Sequence, residues 1–185
     1  MQWRNRRDSY GWIAIGLHWL VAVAVIGLFA SGWWMVGLSY YQDWYHRAPA
    51  LHKSVGLVLF AVLLLRLAWR AANPVPQAPG RPWEQRAGRW AHRGMLILLL
   101  AVMVAGYLIS TAAGKGIAVF GMFEVPATLH GLPRQEDWAG WAHRWLAYAL
   151  MALVALHTAA ALKHQFLDRD GTLTRMLRPG GRRPR

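Results

Sequence analysis

The stretch Trp141–Phe166, WAHRWLAYALMALVALHTAAALKHQF, decides the fold. It is apolar almost throughout and exceeds the roughly 20 helical residues that cross a bilayer. Yet it carries His143, His157 and His164. Hydrocarbon offers a ring nitrogen no water, so a histidine in a spanning helix must be paired with something the protein supplies or binds.

Three other stretches have the same character. One lies within Gly11–Leu38, one within Leu51–Trp69 and one within His92–Ala113, while the quoted stretch places its own span within Trp138–Leu162. Arg4, Arg6 and Arg7 precede the first span in the manner of a signal peptide. That span is too long for a cleaved hydrophobic region, and His18 and Trp19 interrupt it, so it reads as a membrane helix. The expected fold is an all-α membrane protein, a four-transmembrane-helix bundle.

Charge orients the bundle. The chain has 185 residues and a formal net charge of +13. With four spans, both termini and the second connection share one side. That side holds Arg4, Arg6 and Arg7, then Arg66, Arg70, Arg81, Arg86, Arg89 and Arg93, then Lys163, Arg169, Arg175, Arg178, Arg182, Arg183 and Arg185. The first and third connections hold only Arg47, Lys53, Lys115, Arg134 and Arg144. The positive-inside rule therefore puts both termini of this multi-pass protein in the cytoplasm. The excess of basic residues needs no nucleic acid to explain it, and no nucleic-acid-binding motif is present. Trp33, Trp34, Trp44, Trp138 and Trp141 fall near the outer ends of the spans and Trp12, Trp69 and Trp90 near the inner ends, as interfacial belts do.

The connections are distinct in kind. AANPVPQAPGRPWEQRAGRW follows the second span, its prolines ending the helix near Asn73 and its basic residues returning the chain along the inner surface. The third connection contains GIAVFGMF, too short to span and expected in the outer interface or over the end of the bundle. Glu136 and Asp137 stand where the fourth helix begins and suit its dipole. The tail MLRPGGRRPR reads as a disordered basic end in reach of anionic lipid.

The chain has no cysteine. Disulfides, thiolate-held iron–sulfur clusters and covalent haem attachment are excluded, so any metal or cofactor must be held by histidine, methionine or oxygen ligands. His143 and His157 are fourteen residues apart, which places them within about 40° of one helix face and about 21 Å apart along it. The fourth helix thus offers one histidine at the outer level and one at the inner. His18, early in the first helix, is at the inner level; His52, at the start of the second, is at the outer. Two facing pairs result, His18 with His157 and His52 with His143. Each pair suits a flat cofactor clamped from both sides, a bis-histidine haem with no open position at the iron. Gly16, Gly56, Ala142, Ala147 and Ala159–Ala161 lie near these histidines and leave room for a planar guest. Zinc wants four close ligands and cannot be shared between two levels so far apart. The spans have almost no carboxylates, which disfavours a proton-relay transporter. His92 lies at the inner level, where it would replace a ligand or bond a haem propionate, and His164 lies at the membrane edge beside a propionate or a quinone. His46 and His130 read as solvated. Arg66 and Arg70, at the inner end of the second helix, either snorkel to phosphate headgroups or pair with a propionate.

LHWL with His18, LHKSVG with His52, LLLRLAWRAANPVP, WAHRGM with His92 and the opening stretch with His143 and His157 together resemble the bacterial cytochrome b561 family, which includes the cytochrome b subunits of nickel–iron hydrogenases. The resemblance spans Ser9 to Pro179, a single domain (9–179), and leaves 180–185 as a basic tail. It implies two b-type haems held by His18, His52, His143 and His157, and electron exchange with the quinone pool. Some members of this family pass electrons from periplasmic superoxide to ubiquinone, and a basic outer group of Lys53, Arg134 and Arg144 either attracts such an anion or serves as ordinary interface anchoring. Two rivals stand beside this reading: a haem-bearing anchor subunit of a hydrogenase or dehydrogenase, and a haem-free scaffold or transporter. Oligomeric state is not legible.

Overall fold

The structure is a computed structural model that describes residues 1–180. Four long helices follow one another: α1 (Trp12–Val36), α2 (Trp44–Ala71), α3 (Pro82–Thr111) and α4 (Gln135–Phe166). Each is long and apolar enough to cross a membrane, and less than a quarter of each apolar window is buried within the protein. Val23, Leu65, Ile97 and Leu156 are exposed. Side chains of this kind covering a surface would make a soluble protein aggregate, whereas in a bilayer they meet lipid tails. The four expected spans are therefore present.

Three helices run beyond the expected windows. α2 begins at Trp44 rather than Leu51 and takes Pro49 into its early turns. A proline at this sixth helical position removes the N–H that would reach the Tyr45 carbonyl, so α2 forms one intrahelical bond fewer there. At its other end Asn73 Nδ2 donates to the Trp69 carbonyl at 2.9 Å, closing the last turn before Pro74. α3 begins ten residues before the expected His92. Pro82 occupies its first position, and the Arg81 N–H donates to Glu84 Oε2 at 2.8 Å, half of a capping box. Most of PWEQRAGRW, expected as connection, is therefore helical. Glu136 and Asp137 lie inside the first turn of α4 rather than before it.

Contacts divide the chain into two compact units. The terminal unit contains Met1–Val21, Val62–Leu96 and the chain from Met151 onward; the central unit contains Ala22–Ala61 and Ile97–Leu150.

In the terminal unit, the chain after α4 is more ordered than the expected tail. A short 3-10 helix covers Thr174–Met176. Arg175 is only 6% exposed. Its guanidinium donates to the Gln77 carbonyl at 3.0 Å and the Asp8 carbonyl at 3.1 Å, tying three separate segments together. Trp19 Nε1 donates to the Met176 carbonyl at 2.6 Å. The disorder expected from Met176 onward is thus corrected for Met176–Arg178, which continue the turn. The basic end 181–185 lies outside the described residues.

In the central unit, GIAVFGMF forms the one departure from an all-helical chain among the described residues. Strands β1 (Ile117–Val119) and β2 (Phe123–Val125) pair antiparallel, Val119 opposite Phe123. Phe120 and Gly121 both have positive φ, at 50° and 71°, and the Met122 N–H reaches the Val119 carbonyl at 2.9 Å. That is the turn whose twist suits a tight hairpin. Ser54, 2% exposed, fastens it to α2: its hydroxyl donates to the Ala50 carbonyl at 2.9 Å and accepts the Phe120 N–H at 3.0 Å.

Candidate functional site

The central unit brings His52 and His143 together. Their ring centres are 6.3 Å apart and the planes stand at 72°. His52 comes from the third turn of α2 and His143 from the third turn of α4.

Each ring is oriented by a hydrogen bond at Nδ1. His143 Nδ1 lies 2.9 Å from the Val102 carbonyl oxygen. A carbonyl only accepts, so Nδ1 carries the proton and Nε2 presents its lone pair. This approach depends on Gly106, the residue whose helical N–H pairs with that same carbonyl. A Cβ at Gly106 would lie 3.1 Å from His143 Cε1 and 3.2 Å from Nδ1. His52 Nδ1 lies 3.1 Å from Ser31 Oγ, whose hydroxyl donates to the Leu28 carbonyl at 3.0 Å. With its own proton so committed, Ser31 accepts from the imidazole, and His52 also presents Nε2. Gly32 backs this ring, its absent Cβ 3.4 Å from His52 Cε1.

These residues were not singled out in the sequence. Ser31 carried a signal, since a hydroxyl inside a spanning helix needs a partner. Gly32, Gly106 and the Val102 carbonyl carried none, because a glycine's role here depends on which ring another helix places against it. Of the small residues that were singled out, Gly16 and Gly56 would bring a Cβ within 4 Å of nothing.

The arrangement fits a metal held between the rings. Two imidazoles on opposite sides of one metal atom, with bonds of about 2 Å, set their ring centres about 6 Å apart. Both rings offer unprotonated nitrogens, their other nitrogens are anchored, and no carboxylate or thiol completes a tetrahedral set. That donor chemistry suits an axial pair on a planar macrocycle.

The terminal unit holds His18, His92 and His157. His92 and His157 pack edge to face, with ring centres 5.0 Å apart and planes at 65°. As placed, they are about 1 Å too close to hold one metal between them. His18 Nδ1 lies 3.2 Å from Arg66 Nη2. The guanidinium only donates, so here Nδ1 accepts.

His164 is engaged elsewhere in this unit. Its Nδ1 lies 2.8 Å from Asp170 Oδ2 and 3.0 Å from Asp168 Oδ2, and Asp170 is held by the Thr172 N–H and hydroxyl. Lys163 bridges Glu84 and Asp168 at 2.8 Å each. Glu84, His164 and Asp168 are close enough to share a metal ion. The Lys163 ammonium already lies between the two carboxylates, and the group reads as an ion-pair network joining the ends of α3 and α4. His46 packs edge-on against Tyr40 and Tyr45, and His130 lies under Gly114.

Comparison with known proteins gives the family. Residues 9–179 match the family described as prokaryotic cytochrome b561. The chain is 49% identical to cytochrome b561 homolog 2 of Escherichia coli K12 over 96% of its length and 95% of that protein. It is 30% identical to cytochrome b562 of Cereibacter sphaeroides over 95% of its length and 99% of that protein. It is 27% identical to a probable superoxide oxidase of Yersinia pestis over 91% of its length and 96% of that protein. The chain belongs to the prokaryotic cytochrome b561 family, multi-pass haem b electron-transfer proteins of the bacterial inner membrane.

Proposed function

We propose that the protein holds two b-type haems, one between His52 and His143 and one between His18 and His157, and exchanges electrons with the quinone pool. The observation that carries this reading is the His52–His143 pair, whose 6.3 Å ring separation and two anchored Nδ1 atoms suit axial ligation at Nε2. The short His92–His157 contact favours His18 as the partner of His157 and leaves His92 beside the pair.

A haem held by these histidines would supply a one-electron couple. The chain's own contribution is to aim the ligands and keep their tautomers. Val102 and Ser31 accept the Nδ1 protons, which keeps Nε2 available and the rings fixed. Gly32 and Gly106 let α1 and α3 come close enough to do so. The lipid-facing apolar surface of the helices excludes water from the ligand nitrogens.

Superoxide at the outer face is the proposed electron donor and ubiquinone the acceptor. The likeness to a probable superoxide oxidase and the basic residues Lys53, Arg134 and Arg144 support that assignment. Purified protein should show reduced-minus-oxidised b-type α-bands and two haems per chain by pyridine haemochrome assay. One haem per chain overturns the two-site reading, and absence of b-type bands overturns haem binding. Ubiquinone reduction that fails to depend on added superoxide overturns the donor.

A further inference from the structure

Among the described residues, one buried side-chain nitrogen or oxygen lacks a hydrogen-bond partner: Trp69 Nε1. An indole N–H is a donor only, so nothing but an acceptor can satisfy it. Buried donors without partners are rare enough in folded proteins that each asks for a ligand or a function. Trp69 lies near the inner end of α2, on the helix that carries Arg66 one turn earlier. Residues three apart lie on neighbouring positions of one helix surface.

Arg66 has a related problem. Its guanidinium donates to His18 Nδ1 at 3.2 Å. If His18 binds iron through Nε2, as proposed above, its Nδ1 must carry the proton and can no longer accept. Arg66 then needs another acceptor, since a cation within a membrane span has to be paired. Among the described residues no carboxylate of this unit is left free to take it. Among the described residues Arg66 is in no ion pair. In this unit Glu84, Asp168 and Asp170 are committed to Lys163 and His164, while Asp8 accepts from Ser9. Two donors on one side of α2 therefore lack an acceptor once His18 is a ligand.

We propose that Arg66 and Trp69 form a carboxylate-binding site, and that the carboxylate is a propionate of the haem held by His18 and His157. The inference rests on that ligation. It assigns Trp69 as a haem-binding residue and gives Arg66 a role other than snorkelling to a phosphate. The guanidinium supplies charge and up to two parallel N–H bonds, while the indole supplies one N–H from a residue with no charge of its own.

The test uses the purified, full-length, haem-loaded protein and an optical redox titration of Trp69→Phe, Arg66→Gln and Arg66→Lys. Removing a donor leaves the propionate charge less compensated and disfavours the reduced iron. Trp69→Phe should keep both haems and lower the potential of one alone. The expected shift is a three- to tenfold change in its ferrous-to-ferric ratio at fixed ambient potential, where tenfold corresponds to about 59 mV for one electron. Arg66→Gln should lower the same haem further, and Arg66→Lys should recover part of the loss. Redox-difference infrared spectra of protein carrying haem ¹³C-labelled at the propionate carboxyls should show a label-sensitive carboxylate band that moves in Trp69→Phe.

An unmoved labelled band in both Trp69→Phe and Arg66→Gln overturns the proposal. So does an Arg66→Gln effect that disappears on exchanging phospholipid for detergent, since that identifies a lipid phosphate as the partner. If Trp69→Phe fails to retain haem, Trp69→His keeps an N–H donor; retention with His supports the site, and loss with both overturns it. Failure of the underlying ligation looks different: His18→Ala would then leave both haems in place, whereas failure of this proposal alone keeps the loss of one haem in His18→Ala and leaves the labelled band unmoved.

Discussion

The two sets of buried histidines differ in what touches their backs. In the central unit, His52 and His143 each meet a neutral acceptor at Nδ1 and a glycine behind the ring. In the terminal unit, His18 meets a guanidinium, and His92 and His157 meet each other. A neutral acceptor fixes the tautomer that ligates, whereas a cationic donor selects the opposite one. The central pair is therefore arranged for ligation as it stands, and the terminal set reaches it only when Arg66 changes partner.

The strongest way to break this comparison is His143→Ala. It should abolish one haem and leave the other, halving the pyridine haemochrome yield; loss of both haems would mean that the two histidine sets do not act separately. Gly106→Val comes next. Its branched side chain must enter space that already puts a Cβ at 3.1 Å from an anchored ring. Overpacking of this kind costs about 1–3 kcal/mol. The variant should lose the same haem as His143→Ala on dilution in detergent, followed by absorbance. Ser31→Ala removes an acceptor but leaves both ligands, and losses of outer hydrogen-bond partners cost about 10–100-fold in metal affinity. Haem retention against a competing apo-haemoprotein would measure it, with the other haem unaffected. The smallest effect belongs to His92→Gln, which should keep two haems with little change in the α-band. Loss of one haem there would make His92 a ligand and sharpen the terminal unit's contrast with the central one.

What could be read from the sequence follows from ranges of interaction. The four spans were legible because crossing a bilayer is a matter of run length, which is local. The depths of His18, His52, His143 and His157 were legible because helical rise and alternating direction convert position in the chain into level in the membrane. The early starts of α2 and α3 were less so. Pro49 and Pro82 are ordinarily read as breaks; at the first position of a helix the N–H that Pro82 lacks has no intrahelical use, while α2 runs through Pro49 at the loss of one bond. The hairpin carried a turn signal in Gly121, but Phe120 at positive φ is not a residue that announces such a turn. Contacts between helices were the least legible. Nothing near Gly106 in the chain says that His143 will press on it, and nothing near Arg175 says that its guanidinium will find the carbonyls of Asp8 and Gln77.

That last contact has a consequence for how the protein is made. Asp8 leaves the ribosome long before Arg175. A link between them closes only after α4 has been delivered to the membrane, so the terminal unit is completed only once α4 is in place. His143 and His157 arrive with that same final helix. Haem loading at either proposed pair would thus wait for α4, and a nascent protein stalled after α3 would expose His18 and His52 without their proposed partners.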